Sequence, residues 1–205
     1  METIVLPADH DDTIPRALEV LDHGGLVAFP TDTVYGLGAL AFDATAVESI
    51  YSAKDRPVEK AIPILIGGPE DLDKVTADIP PIAARLATRF WPGPLTLVVP
   101  KHPDLPDVVS AGPTVGVRVP DHPMARELLR AAGPMAVTSA NISGEGNPRT
   151  AGEVHRQLSG RIPLILDGGE TPGGVPSTVV NCMGTEPVIL REGPITLKDI
   201  QFGLA

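Results

Sequence analysis

LVAFPTDTVYGLGA, residues 26–39, carries four apolar residues straight into Thr31, Asp32 and Thr33, with Tyr35, Gly36 and Gly38 close behind. A short apolar run ended by Pro30 reads as a strand buried on both faces. A chain that leaves such a strand and at once presents two hydroxyls and a carboxylate is placing polar groups at a sheet end. In α/β sheets that is where ligands bind, because loops converge there while the strands hold them rigid. The two glycines would let the backbone pass close to a bound molecule. Thr31 and Thr33 face the same side if the strand continues, and part company if the chain turns at Asp32.

Working outward from this stretch, short Val/Ile/Leu-rich runs alternate with segments of helical periodicity. Strands are expected at 3–6, 26–29, 62–66, 95–99, 115–119, 135–138, 164–166, 178–181 and 188–190. Helices are expected at 13–22, ended by Gly24 and Gly25, at 44–53 capped by Asp43, and at 82–90, 123–132, 150–158 and 197–202. Several strands follow one another with no helix between them, so the α/β sheet is expected to be mixed. No repeat, low-complexity tract or linker divides the 205 residues, which fit one domain.

With 42% hydrophobic but only 3% aromatic residues, the core must be built from Ala, Val, Leu and Ile. No apolar run approaches the ~20 residues that cross a bilayer, and METIVLPADHDD lacks the basic segment and apolar core of a secretory leader. A cytoplasmic protein with no membrane association is expected. The single cysteine, Cys182, excludes an internal disulfide and reads as a buried thiol in a strand. The formal charge of −10 repels polyanions overall, so any anion must find a local basic site.

One such site is AKDRPVEK, with Lys54, Arg56 and Lys60, which also reads as a solvated turn between a helix and a strand. A second cation, Arg118, sits in the strictly alternating VGVRVP; it either points to solvent from a half-exposed strand or faces a cavity and binds a carboxylate. Arg191 raises the same question at the end of its strand. VTSANISGEGNPRT, residues 137–150, turns from a strand into small hydroxyl and amide groups. Conventional signatures are missing: there is no GxxxxGK[ST] loop, no GxSxG elbow, and the five histidines lack zinc-ligand spacing.

Assembled in order, GGLVAFPTDTVYGLGALAFD, AKDRP, EKAIPILI, FWPGPLTLVV, VGVRVPDHP, VTSANISG, GGVPSTVV and VILREGPI resemble the YrdC family, the threonylcarbamoyl-AMP synthases. The resemblance spans residues 15–200. It implies a YrdC-like α/β fold, a twisted mixed sheet flanked by helices around a large, locally positive substrate cavity. It also implies an enzyme that makes threonylcarbamoyl-AMP and pyrophosphate from L-threonine, bicarbonate or carbon dioxide, and ATP with Mg²⁺. A partner tRNA threonylcarbamoyl transferase would then modify tRNAs reading ANN codons, with a weak tRNA contact by this chain.

Carried over by residue, the resemblance puts Lys54 and Arg56 at the chemistry. Lys60, Thr114, Ser139, Asn141, Arg149 and Arg191 join Arg56 around ATP, and Thr31, Thr33, Arg118, Thr138 and Ser177 surround threonine. Many relatives have a histidine where this chain has Leu65, which puts one threonine contact in question. The chain resembles the short, single-domain form of the family. The implied chemistry brings two anions together, an N-carboxylate and a triphosphate, so it needs cations and fixed geometry more than an acid–base pair. Asp32 and Asp167 are the carboxylates available as a base or as loop braces. Two other readings share the fold: an RNA-binding module, and a paralogue handling carbamoyl adenylate.

Overall fold

The computed structural model describes residues 2–204. The chain runs β1 (Ile4–Pro7), α1 (Thr13–Asp22), β2 (Val27–Phe29), β3 (Gly36–Leu40), α2 (Ala44–Lys54), β4 (Ile64–Leu65), a 3₁₀ turn (Pro69–Lys74) and α3 (Pro81–Phe90). It continues through β5 (Leu95–Pro100), β6 (Thr114–Arg118), α4 (Pro123–Ala132), β7 (Met135–Ser139), α5 (Ala151–Leu158), β8 (Leu164–Asp167), β9 (Thr178–Asn181), β10 (Val188–Arg191) and α6 (Leu197–Leu204). The strands form one ten-stranded sheet in the order β1-β8-β2-β3-β7-β4-β6-β5-β9-β10. Parallel pairs (β1 with β8, β8 with β2, β4 with β6, β5 with β9) mix with antiparallel ones, as expected.

Side chains alternate across each strand, and that alternation builds two separate cores. Leu26 and Ala28 join one cluster while Val27 and Phe29 join the other; β7 splits the same way, with Ala136 opposed to Met135 and Val137. The larger core lies under α2, α3, α5 and α6, which contribute Ile50, Leu86, Val154 and Ile200. The smaller core lies under α1 and α4, whose Ala17, Leu21, Ala125, Leu128 and Leu129 are buried. Among the described residues no other helix contributes to this smaller core. In β6, Val115 and Val117 belong to the larger core, so Gly116 and Arg118 point to the opposite face, where Arg118 is buried.

The sheet must also curl. The turn after β2 touches β6, four strands away in the sheet order, through a 3.1 Å hydrogen bond from Arg118 Nη1 to Thr33 Oγ1. Four inter-strand steps in a flat sheet would separate them by about 19 Å. A concave face with the 31–34 turn folded over it accounts for the contact.

Most elements match the sequence reading within two residues. The exception is β3, which was not expected as a strand: Gly36 and Gly38 were expected to let the backbone pass close to a bound molecule, and Gly36 does line the cavity described below while both pair with β2. Both glycines are required by packing: a Cβ at Gly36 would lie 2.7 Å from Val137 Cγ1, and one at Gly38 would lie 2.8 Å from Met135 Cε. Neighbouring side chains fill the space that the absent side chains leave. The expected strand over 62–66 shortens to Ile64–Leu65.

Candidate active site

Arg118 settles first because it is only 5% exposed, which removes the solvent-facing alternative. Its Nε donates to Gly93 O at 2.9 Å, Nη1 to Thr33 Oγ1 at 3.1 Å, and Nη2 to Asp32 Oδ1. Asp32 Oδ1 also accepts from the Asp121 amide at 3.0 Å, while Asp32 Oδ2 is buried with no partner. Burial lowers the Arg118 pKa, Asp32 opposes that shift, and nearby Arg191 adds a repulsive push. Of the five guanidinium hydrogens, two remain for a ligand.

Thr31 and Thr33 stand side by side, their hydroxyls 3.0 Å apart. The Thr31 hydroxyl donates to Val34 O at 2.7 Å and accepts from the Thr33 and Val34 amides, closing a tight turn. Its single proton is therefore used, and Thr33 must be the donor between the two hydroxyls. Both threonines line the same cavity although β2 ends at Phe29 and the chain turns here, so the expectation that a turn at Asp32 would part them is not met.

That cavity, of about 220 Å³, is walled by Thr31, Thr33, Leu65, Thr96, Arg118 and Thr138 within, and reaches Arg56, Ser139, Asn147, Ser177 and Arg191. Ser177 Oγ lies 2.8 Å from Thr96 Oγ1 and accepts from Arg191 Nη2 at 3.1 Å; Arg191 also donates to Ser177 O at 3.1 and 2.8 Å. Arg56 Nη2 donates to Lys60 O at 3.2 Å and Ala61 O at 3.0 Å, and its buried Nε has no partner. Three guanidinium groups thus approach a small space with one carboxylate, Asp32, bonded to one of them. An anion bound among them would relieve their mutual repulsion.

Five of the expected residues are not brought to the cavity wall. Lys54, 1% exposed, turns its ammonium to the carbonyls of Ser139 and Asn141; burial and then Arg56 lower its pKa to about 7. Asn141 spends its amide on Ile142 O and Glu145 O, both at 2.8 Å, and its carbonyl oxygen on Ser139 Oγ. Arg149 pairs with Glu170 at 2.9 Å and donates to Thr171 O at 3.3 Å. Lys60 projects from the surface. Thr114 opens β6, four residues from Arg118 and so about 13 Å back along the strand. Asp167 caps the next turn, accepting from the Gly169 amide at 3.0 Å.

Thr96 and Asn147 line the cavity without having been singled out. Thr96 was legible in principle: in LTLVV the alternation puts Leu95, Leu97 and Val99 in the larger core and leaves Thr96 on the opposite face. Asn147 sits in a loop of Ser, Gly and Asn where nothing distinguishes it from its neighbours.

The segment after β8 is fastened to the 31–35 stretch. Tyr35 Oη donates to Gly169 O at 2.8 Å and accepts from the Gly168 amide at 3.2 Å, and the Gly174 amide donates to Thr33 O at 2.7 Å. Burial raises the Tyr35 pKa to about 12 from 10.0. Between those values the unfolded chain releases a proton that the folded one keeps, so stability falls as pH rises from 10 toward 12. The Tyr35 share of that loss is roughly 2–3 kcal/mol. Tyr35→Phe is expected to cost about 1–2 kcal/mol at pH 7 and to flatten this alkaline limb, as read from denaturant melts between pH 9 and 12.

Among the other hollows, one lies at Asp73, Thr76, Asp78 and His102, one at Leu40–Ala44 beside Ala132 and Pro134, one at Arg16, Glu19 and His23, and one at Ser49, Ser52 and Arg161. None of them gathers more than one arginine or lysine. Among the described residues no helix is long and apolar enough to cross a membrane.

Known proteins carry the same architecture. The Sua5/YciO/YrdC family profile, described as "Telomere recombination", matches residues 19–193. The threonylcarbamoyl-AMP synthase of Bacillus subtilis is 45% identical over 195 residues, covering 94% of this chain and 56% of that protein. A putative threonylcarbamoyl-AMP synthase of Mycobacterium tuberculosis is 41% identical, covering 95% of this chain and 90% of its own length. The crystal structure of Pyrococcus abyssi Sua5 complexed with L-threonine superposes with a TM-score of 0.95 at 43% identity, covering 98% of this chain and 61% of that one. The chain thus spans little more than half the length of the B. subtilis relative.

Proposed function

The chain belongs to the Sua5/YciO/YrdC family, and on that premise we propose that it is an L-threonylcarbamoyladenylate synthase, a nucleotidyltransferase of the cytoplasm acting in tRNA modification. The observation that carries this reading is a buried arginine with two unspent donors, Arg118, set in a wall of hydroxyls beside two further guanidinium groups. At about 220 Å³ the cavity suits a small amino acid better than a whole nucleoside triphosphate. The nucleotide therefore lies across the mouth, where Arg56, Ser139, Asn147 and Arg191 stand.

In this reading Arg118 holds the threonine carboxylate, with Thr33, Thr138 and Ser177 close to the amine and hydroxyl. Carbon dioxide adds to the neutral amine, which gives up a proton to solvent, and an oxygen of the N-carboxylate attacks the α-phosphorus of ATP as the bond to the bridging α,β-oxygen breaks and pyrophosphate leaves. Arg56 and Arg191 neutralise the approaching charges, and fixed orientation supplies much of the acceleration. No group of three or more His, Cys, Asp or Glu side chains among the described residues is arranged to hold a metal. A resident metal site does not fit these residues; Mg²⁺ would come with the ATP phosphates as part of the substrate. The product is a reactive mixed anhydride, so a tRNA threonylcarbamoyl transferase must take it up.

The test is incubation with ATP, Mg²⁺, bicarbonate and labelled threonine, with an adenylate and pyrophosphate that both depend on threonine as the expected result. Tight, steeply salt-dependent tRNA binding without this turnover would favour the RNA-binding alternative. Arg56→Ala is expected to raise the apparent KM for ATP at least ~10-fold with the melting temperature nearly unchanged, since it loses charged hydrogen bonds at a half-exposed position. Near-normal pyrophosphate release at low ATP would sink that role.

A further inference from the structure

Lys54 is the one cation of the basic AKDRPVEK motif that is fully buried, and all of its donors face protein oxygens. Its ammonium touches Ser139 O and Asn141 O, with Asn141 Oδ1 at 3.5 Å. Its own carbonyl accepts from the Ser143 amide at 2.8 Å. The last residue of α2 thus grips the 139–143 turn twice, once by side chain and once by backbone. The turn is held from other sides as well: Ala140 N donates to Tyr35 O at 2.8 Å, and Ile142 N to Gln157 Oε1 at 3.0 Å. An ammonium with three hydrogens and three oxygens around it has none left for a phosphate.

We infer that Lys54 is a positioning residue that locks the 139–143 turn and so sets Ser139 on the cavity wall, and that it makes no contact with a nucleotide phosphate. Phosphate contact falls instead to Arg56, two residues on, which lines the cavity where Lys54 does not. The inference rests on the synthase reading for its nucleotide, but its structural half stands without it.

The experiment compares AMP and ATP binding by calorimetry in the unaltered protein, Lys54→Met and Arg56→Ala, and follows amide exchange over residues 140–143. A loosened turn harms every nucleotide alike, so Lys54→Met is expected to weaken AMP and ATP by the same factor, on the order of ten-fold. Arg56→Ala should weaken ATP by a larger factor than AMP, which keeps only one of the three phosphates. Exchange at Ser143 and its neighbours should accelerate at least ~10-fold in Lys54→Met, while amides of α3 and α4 keep their rates. Should Lys54→Met fail to fold, Lys54→Gln, which keeps two donors for the carbonyls, is expected to give the same pattern in weaker form. Selective loss of ATP with AMP unchanged, or unaltered exchange at 140–143, would overturn the inference. An unaltered protein that binds neither nucleotide defeats the synthase reading alone, and exchange at 140–143 then decides the role of Lys54.

Discussion

Arg118→Ala is expected to lower the unfolding free energy by about 3–5 kcal/mol and to abolish threonine-dependent pyrophosphate release. The stability loss follows from what remains: Asp32, already carrying one unpartnered oxygen, would keep its charge in a buried place with no counter-ion. For a chain of this size each kcal/mol shifts the melting temperature by roughly 2–4 °C, so a drop of about 6–20 °C should appear in calorimetry. The catalytic loss follows from the two donors left over after Gly93, Thr33 and Asp32 are served, and should be at least ~100-fold in kcat/KM for threonine. The two effects separate in a second variant. Arg118→Met with Asp32→Asn removes both charges, fills the volume and keeps an acceptor for the Asp121 amide. Most of the lost stability should return, while pyrophosphate release stays absent. Activity returning with stability would mean that Arg118 serves the fold only.

Arg118 also shows how far sequence alone reaches. A charge on an alternating strand demanded either water or a partner, and the pattern could not say which. The partner, Asp32, lies 86 residues away on a turn that meets β6 only because the sheet curls. Elements with a clear period were legible: α4 with its buried Met124, Ala125, Leu128 and Leu129, or β5 with Leu95, Leu97 and Val99 turned inward. β3 was not, since glycine gives no pattern and the reason for Gly36 is the Val137 methyl across the sheet. Residue types marked the neighbourhood of the site well. They could not distinguish a cation facing the cavity, Arg56, from one turned into the protein two positions earlier, Lys54, because helix termination and the left-handed Asp55 between them (φ 50°) decide that.

Gly193→Ala carries the second large expectation, and its cause is also invisible in the one-dimensional chain. A Cβ there would lie 2.4 Å from Thr178 N, 2.6 Å from Pro176 O and 2.6 Å from the Ser177 carbonyl carbon. All three are backbone atoms, and they are fixed: Thr178 N donates to Pro94 O at 3.0 Å, and its hydroxyl donates to Ile195 O at 2.7 Å and accepts from Ile195 N at 3.0 Å. The methyl group cannot be absorbed by a rotamer change, so the 176–178 segment must move. Overpacking of this kind costs about 1–3 kcal/mol. The displaced residue is Ser177, which joins Thr96 and Arg191 at the cavity, so activity should fall further than the melting temperature suggests. Gly146→Ala is the matched control, because a Cβ there meets nothing within 4 Å. The control is expected to leave melting and kinetics unchanged, while Gly193→Ala raises the KM for threonine at least ~10-fold. Equal behaviour of the two variants would show that the 176–178 segment yields freely, and that Ser177 is not held in place by this contact.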